Sequence, residues 1–353
     1  MTFDPEKLVR DNIRRLTPYS SARSEFAGRA EIFLDANENP FGSPLARDYH
    51  RYPDPLQSKI KKNLAAETGL DAAEIFVGNG SDEAIDLLFR IFCEPGRDAA
   101  LVCPPTYGMY RVSADVNAVR TKEVCLRPDF GLDAAGIREA ADSRTKLLFI
   151  CSPNNPTGNS MRRETVLEIV RDFRGIVVVD EAYIHFSREK SLVAELRAHP
   201  NLVVLQTFSK AWGLAGLRVG MAFASREIVA LLNRVKPPYN VSEIAQEAVL
   251  DALENRAAVA DAIAKIIVER EMLAERLEDF PFVERIYPSD ANFLLVKTTD
   301  ADRLYRFLLD ERIVVRNRAR VAMCLGCLRI TVGTPAENAR LLESLEKARS
   351  INL

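Results

Sequence analysis

Four short stretches constrain the fold more than anything else in the chain. They are Ala99-Ala100-Leu101-Val102, Lys146-Leu147-Leu148-Phe149-Ile150, Gly175-Ile176-Val177-Val178-Val179 and Leu202-Val203-Val204-Leu205. None alternates apolar with polar residues. A strand with one face in water alternates, whereas a strand covered on both faces of a parallel sheet is apolar throughout. Helical stretches lie between them, such as Glu164 to Phe173, and supply right-handed crossovers. The pattern predicts an α/β fold, a large, mostly parallel, doubly wound sheet domain with ligands beyond the carboxyl ends of the strands.

The flanking regions have a different character. Residues 1–40 read as an irregular arm, with Ile32-Phe33-Leu34 as a short strand and Arg51-Tyr52-Pro53-Asp54-Pro55 as an extended loop after it. A helix is expected from Leu56 to about Thr68, and another from Ala84 to Phe92, after Ile75-Phe76-Val77. Beyond Pro237-Pro238, residues 242–280 are helical in pattern with a break near Asn255. A single helix from Arg256 to Leu277 would span roughly 30 Å and link two domains. Asn292–Val296, a helix at Asp302–Arg312, Cys327–Val332 and a helix at Pro335–Arg349 form a compact α+β unit. The expected division is an arm at 1–40 joined to the small domain, a large domain at 41–250, and a linking helix with the small domain at 251–353.

Composition bounds the function. A chain of 353 residues with a net charge of −2 has no bulk charge to draw it to nucleic acid or an anionic membrane. No apolar run approaches a membrane span, and Met1-Thr2-Phe3-Asp4-Pro5 has no signal pattern, so the expected location is cytoplasmic. Cys324-x-x-Cys327 has the spacing of half a zinc site, but there is no second pair and His50, His185 and His199 are scattered; no metal is expected.

Each buried stretch ends in polar residues. Gly78-Asn79-Gly80-Ser81-Asp82 opens a helix, where free amides and the helix dipole favour an anion; the same residues also serve simply as an N-cap. Cys151-Ser-Pro-Asn-Asn155-Pro-Thr-Gly158 is a turn by composition, yet it also sets the Asn155 amide at a strand's carboxyl end, placed to donate to a phenolate-type oxygen. Asp180 ends a valine-rich strand, where a carboxylate is costly unless paired. A protonated pyridine nitrogen is one suitable partner, with Tyr183 in reach of another edge of the ring. A metal-binding Asp180 would call for a phosphate loop that the chain lacks.

The stretch Thr207–Gly220 completes the set. Lys210 follows an apolar run, sits among hydroxyls and is trailed by Arg218. Such a lysine is suited to forming a Schiff base with an aldehyde cofactor. Together these residues meet the needs of pyridoxal 5′-phosphate. Lys210 bonds the aldehyde carbon and moves the proton, Asp180 meets the ring nitrogen, Asn155 and Tyr183 meet the ring hydroxyl, and Tyr107 stacks on the ring. The Gly80, Ser81 and Asp82 amides, with Thr207, Ser209 and Arg218, receive the phosphate.

On Asn155-Pro-Thr-Gly, Asp180-Glu-Ala-Tyr183 and Ser209-Lys210 with Arg218, the chain resembles the fold-type-I aminotransferases related to aspartate aminotransferase over nearly its whole length. Within them it is similar to the histidinol-phosphate aminotransferases, on Leu16-Thr-Pro-Tyr19-x-Ser-Ala-Arg23, Leu34-Asp-Ala-Asn37-Glu-Asn-Pro40, Arg51-Tyr52-Pro-Asp-Pro55 and Gly326-Cys-Leu-Arg329-Ile-Thr-Val-Gly333. Thr207 stands where many relatives carry serine, and Arg316-Asn-Arg318-Ala-Arg320 is unusually rich in arginine. The resemblance implies a homodimer in which Tyr52 reaches the neighbouring subunit's cofactor phosphate. It implies that Arg329 binds the glutamate carboxylate or the phosphate of histidinol phosphate, that Arg316 and Tyr19 hold the substrate phosphate, and that Asn37 belongs with the substrate groups. The implied reaction passes the amino group of histidinol phosphate to 2-oxoglutarate in histidine biosynthesis. The rivals are an aromatic amino-acid aminotransferase or a threonine-phosphate decarboxylase with the same cofactor site. A non-catalytic cofactor-binding regulator would carry a DNA-binding module, and no basic stretch precedes residue 30.

Overall fold

The computed structural model describes residues 3–19 and 32–350. Ser21, Ala22 and Arg23 of the N-terminal motif lie outside the described residues. The four apolar stretches are all strands of one seven-stranded sheet, ordered β1-β7-β6-β5-β4-β2-β3. Its strands are β1 (Ile75–Gly78), β2 (Ala99–Val102), β3 (Arg120–Glu123), β4 (Thr145–Cys151), β5 (Ile176–Asp180), β6 (Leu202–Thr207) and β7 (Gly220–Phe223). The run β3-β2-β4-β5-β6 is parallel, and β7 is inserted antiparallel between β6 and β1.

Alternate residues of the central strands feed two separate cores. Leu148, Ile150, Val177, Val179 and Val204 face one side, packed under Ile60 and Leu64 of helix Ser58–Thr68, Val166 and Ile169 of helix Arg163–Asp172, and Val249 of helix Glu243–Glu254. Leu147, Phe149, Ile176, Val178 and Val203 face the other, under helices Ser81–Phe92, Met109–Val116 and Arg226–Val235. Both faces are dry, so the strands carry no polar alternation.

Two strands of this sheet were hidden in the sequence. β3 reads Arg-Thr-Lys-Glu and is half-buried to exposed, as an edge strand is when charged side chains blunt it. β7 begins at Gly220, whose close packing leaves no room for a side chain: a Cβ there would lie 2.3 Å from the Ser81 amide nitrogen.

A second sheet, ordered β10-β11-β9-β8, is antiparallel throughout: β8 (Val283–Tyr287), β9 (Phe293–Thr298), β10 (Arg316–Asn317) and β11 (Cys327–Thr331). Helices Ala301–Asp310 and Pro335–Ser350 and the end of helix Arg256–Leu277 share its core through Leu304, Leu345 and Leu273. Asn255 separates that long helix from Glu243–Glu254, at the expected break. Arg270, on the long helix, donates to the carbonyl of Ala291 at 2.8 Å, tying it to the chain just ahead of β9.

The N-terminal region differs from expectation in two ways. Val9 and Ile13 are buried in the large sheet's core, and the Arg10 amide donates to Ile91, so residues 3–14 pack on the large domain rather than the small one. Ile32-Phe33-Leu34 is not a strand. The Phe33 carbonyl accepts from the Arg51 guanidinium at 3.2 Å, and Leu34 is 90% exposed.

Candidate active site

Because β4, β5 and β6 run parallel, their carboxyl ends fall together, and the polar residues after them meet in one cleft. Ser81, Asp82, Tyr107, Asn155, Asp180, Tyr183, Thr207, Ser209, Lys210 and Arg218 all line it, joined by Cys151 and Ala182.

At one end the chain leaves β1 through Gly78 and Asn79 and enters helix Ser81–Phe92 at Gly80, whose φ is 74°. Glu83 Oε2 accepts from the Asn79 amide and from Asn240 Nδ2 at 2.8 Å, which sets this bend. Gly80 is needed in the left-handed region, and a side chain there would approach Arg218 Nη2 to 3.0 Å. Arg218 itself has a φ of 56° and donates to Ser209 Oγ at 3.3 Å. Thr207 Oγ1 accepts from the Ser209 amide at 3.1 Å. Hydroxyls, helix amides and a guanidinium converge here. Asp82 brings a carboxylate as well as its amide: Oδ2 stands 3.6 Å from Arg218, and Oδ1 accepts from the Tyr107 hydroxyl at 3.2 Å.

At the other end Asp180 is buried. Its Oδ2 accepts from the Tyr110 hydroxyl at 2.7 Å and its Oδ1 from the Ala182 amide at 3.1 Å. Burial pushes its carboxyl up to about 6, against the pull of those two donors. Burial also lowers the Lys210 ammonium from its ordinary value, helped by the charge of Arg329. Lys210 Nζ lies 5.6 Å from the centre of the Tyr183 ring. Burial raises the Tyr183 phenol, whose oxygen accepts from Asn155 Nδ2 at 3.4 Å.

Asn155 connects this cleft to the small domain, since its Oδ1 accepts from Arg329 Nη1. The Arg329 guanidinium also lies over the Phe293 ring at 5.1 Å, and Phe293 stands edge-on to Tyr183. Arg316 is opposite Arg329 in the β10–β11 ladder and is exposed. Other substrate candidates stand apart within the chain. Tyr52 and Asn37 line a separate cavity of about 630 Å³ that shares Arg218 with the cleft, with Tyr52 stacked on Tyr239 at 4.4 Å. Tyr19 is 77% exposed, in a groove with Pro55 and Lys236.

Tyr110, Phe293 and Glu83 were not singled out from sequence. Tyr110 lies three residues after Tyr107, but its partner Asp180 is 70 residues away, and nothing local marks the pairing. Among the described residues no group of His, Cys, Asp and Glu is arranged to hold a metal ion, and no helix is long and apolar enough to cross a membrane. Cys324 and Cys327 are buried, and burial pushes their thiols up to about 12 and about 11.

The chain is similar to known proteins. A protein from Parabacteroides distasonis called histidinol-phosphate aminotransferase is 53% identical over 98% of this chain and 99% of its own length. One of the same name from Cytophaga hutchinsonii is 52% identical over 98% and 99%. The solved structure of histidinol-phosphate aminotransferase from Sinorhizobium meliloti, in complex with pyridoxal 5′-phosphate, matches with a TM-score of 0.80 at 25% identity, covering 90% of each chain. The family model for aminotransferase class I and II matches residues 33–345, and with the strand-end cleft around Lys210 it leads to one conclusion: the chain belongs to the class I and II aminotransferases.

Proposed function

We propose that the protein transfers the amino group of L-histidinol phosphate to 2-oxoglutarate with pyridoxal 5′-phosphate as cofactor, as a step of histidine biosynthesis. The observation that carries this reading is the convergence of Lys210, Asp180 and the Ser81–Ser209–Arg218 group in one cleft that Asn155 joins to Arg329. The names of the relatives at about half identity support the substrate.

The donor set fits the cofactor. Asp180 is a buried carboxylate whose hydrogen-bond donors are both neutral, so a cationic ring nitrogen would complete it. At Gly80 and Gly220 a side chain would crowd Arg218 Nη2 and the Ser81 amide nitrogen, so the two glycines keep this helix N-terminus open to a phosphate. When bound, the cofactor supplies an aldehyde that takes up the amine and a protonated ring that draws electrons from the substrate's α-carbon.

The chain's own residues do the rest. Arg218, Ser209 Oγ, Thr207 Oγ1 and the amides of Gly80, Ser81 and Asp82 hold the phosphate. Tyr107 covers one face of the ring. Asp180 keeps the ring nitrogen charged, while Tyr183 and Asn155 orient the ring oxygen. Lys210 Nζ, with its proton affinity lowered by burial and by Arg329, would serve as the base that takes up and passes on the substrate's α-carbon proton. Arg329 orients the substrate's anionic end, and its charge acts on Lys210 at the same time.

A homodimer belongs to the same reading, with Tyr52 serving the neighbouring subunit's phosphate. In support, Leu34, Phe41 and Leu45, in the segment preceding Tyr52, are 90%, 94% and 62% exposed, apolar side chains that a second copy would cover.

The test is a half-reaction. The holoenzyme mixed with histidinol phosphate and no oxo acid should lose its aldehyde-form absorption band and gain that of the amine form. Conversion by phenylalanine but not by histidinol phosphate would overturn the substrate assignment.

A further inference from the structure

We propose that Arg318 is a third guanidinium of the anion site, beside Arg316 and Arg329, and selects a phosphate-bearing substrate over one with a carboxylate alone; this rests on the function proposed above. The β10–β11 register sets Arg316 opposite Arg329 and Asn317 opposite Leu328, and the Arg318 amide continues the ladder to the Cys327 carbonyl at 2.9 Å. Side chains alternate along a strand, and directly opposed residues share a face. Arg316, Arg318 and Arg329 therefore share one face, the one from which Arg329 reaches Asn155. Asn317 points the other way, where its amide donates to Asp302 at 2.6 Å.

Like charges set side by side repel, and no carboxylate among the described residues is paired with Arg318 or Arg329. Arg316, Cys324 and Tyr183 shift Arg318, and Tyr183, Arg318 and Arg316 shift Arg329; no carboxylate is among these groups. The Nε atoms of Arg318 and Arg329 are both buried without an acceptor among the described residues. An unpaired buried guanidinium donor is costly, so the face is built to be completed by an anion. One carboxylate carries one charge and fits one guanidinium through two parallel bonds. A phosphate monoester carries close to two charges and three acceptor oxygens at neutral pH, enough for three guanidiniums. Arg320, the last arginine of the same segment, is exposed and outside the ladder.

The experiment compares Arg318→Met, Arg318→Lys and Arg320→Met holoenzymes with the wild type. The measurements are KM for histidinol phosphate, KM for glutamate and the inhibition constant of inorganic phosphate. Arg318→Met should raise the histidinol-phosphate KM and the phosphate inhibition constant by about tenfold or more, and the glutamate KM several-fold less. Arg318→Lys should recover part of the loss, and Arg320→Met should change none of the three. Equal effects on glutamate and histidinol phosphate, or an Arg320→Met effect as large as that of Arg318→Met, would overturn the assignment. If Arg318→Met does not fold, Arg318→Lys and Arg318→Gln are read in its place. A wild type that ignores histidinol phosphate overturns the proposed function instead; phosphate inhibition against whichever amine it accepts then still decides the role of Arg318.

Discussion

The hydroxyl of Tyr110 donates to Oδ2 of Asp180 at 2.7 Å, from inside the large domain's core. Tyr110 is stacked on Phe149 at 4.8 Å and stands edge-on to Tyr107 at 5.5 Å. One buried ring thus fixes the carboxylate proposed for the cofactor nitrogen and backs the ring proposed to cover the cofactor's face. Burial and the Asp180 charge hold the Tyr110 phenol far above its ordinary value, so it remains a donor throughout the working range.

Tyr110→Phe keeps the ring and removes the donor. Losing a hydrogen bond to a charged acceptor costs about 1.5–3 kcal/mol. Cofactor affinity should fall by roughly tenfold or more, since Asp180 is then worse placed to stay ionised. Trp212, the sole tryptophan, lies two residues from Lys210 and reports the titration of apoenzyme by its fluorescence. Unchanged affinity would show that Tyr110 only fills space.

Asp180 also makes a pH prediction for the apoenzyme. Its folded-state value of about 6 lies above the ordinary 3.8, so between those values the folded chain holds a proton that the unfolded chain has lost. Stability contributed by this group is present below the ordinary value and falls as pH rises toward about 6. Asp180→Asn removes the titration. The melting temperature of apo Asp180→Asn should gain on that of apo wild type as pH rises through this window, then keep a constant lead.

Lys210→Ala should abolish both turnover and covalent capture. After borohydride reduction the wild-type mass rises by the cofactor, and the variant's mass does not. A variant that still gains the cofactor would place the bond on another lysine.

Gly220→Ala should be costly although its backbone is ordinary. The new Cβ would meet the Ser81 nitrogen at 2.3 Å and the Gly80 carbonyl carbon at 2.6 Å, and backbone cannot step aside as a side chain can. A loss of about 1–3 kcal/mol is expected, read as a lower melting temperature, together with weaker cofactor binding because the Gly80–Ser81 amides shift.

The shared site is tested by mixing. Tyr52→Phe and Lys210→Ala proteins, each impaired alone, are unfolded and refolded together. If Tyr52 serves the neighbouring subunit, the mixture regains activity above the mean of the two, because each hybrid has one site with neither lesion. No gain would place Tyr52 in its own subunit's site or outside both.

The large domain was legible because its physics is local. A strand buried on both faces carries an unbroken apolar run, and β2, β4, β5 and β6 each do, with polar residues only at their ends. The cleft was legible for the same reason: parallel strands end on one side, so Asn155, Asp180 and Lys210 had to meet. β3 was not, because a charged edge strand looks like a loop, and Ile32-Phe33-Leu34 misled in the opposite sense, being apolar but not a strand.

By itself, then, the sequence determined the parallel sheet, the set of groups at its strand ends and the lysine at their centre, since each follows from short-range pattern. Only the tertiary structure decided that Tyr110 holds Asp180, that Asn155 bridges to Arg329, and that Arg318 rather than Arg320 joins the arginine face. Those relations depend on register and on contacts between segments as far as 174 residues apart, where a hydrogen bond of a few ångströms leaves no trace in local periodicity.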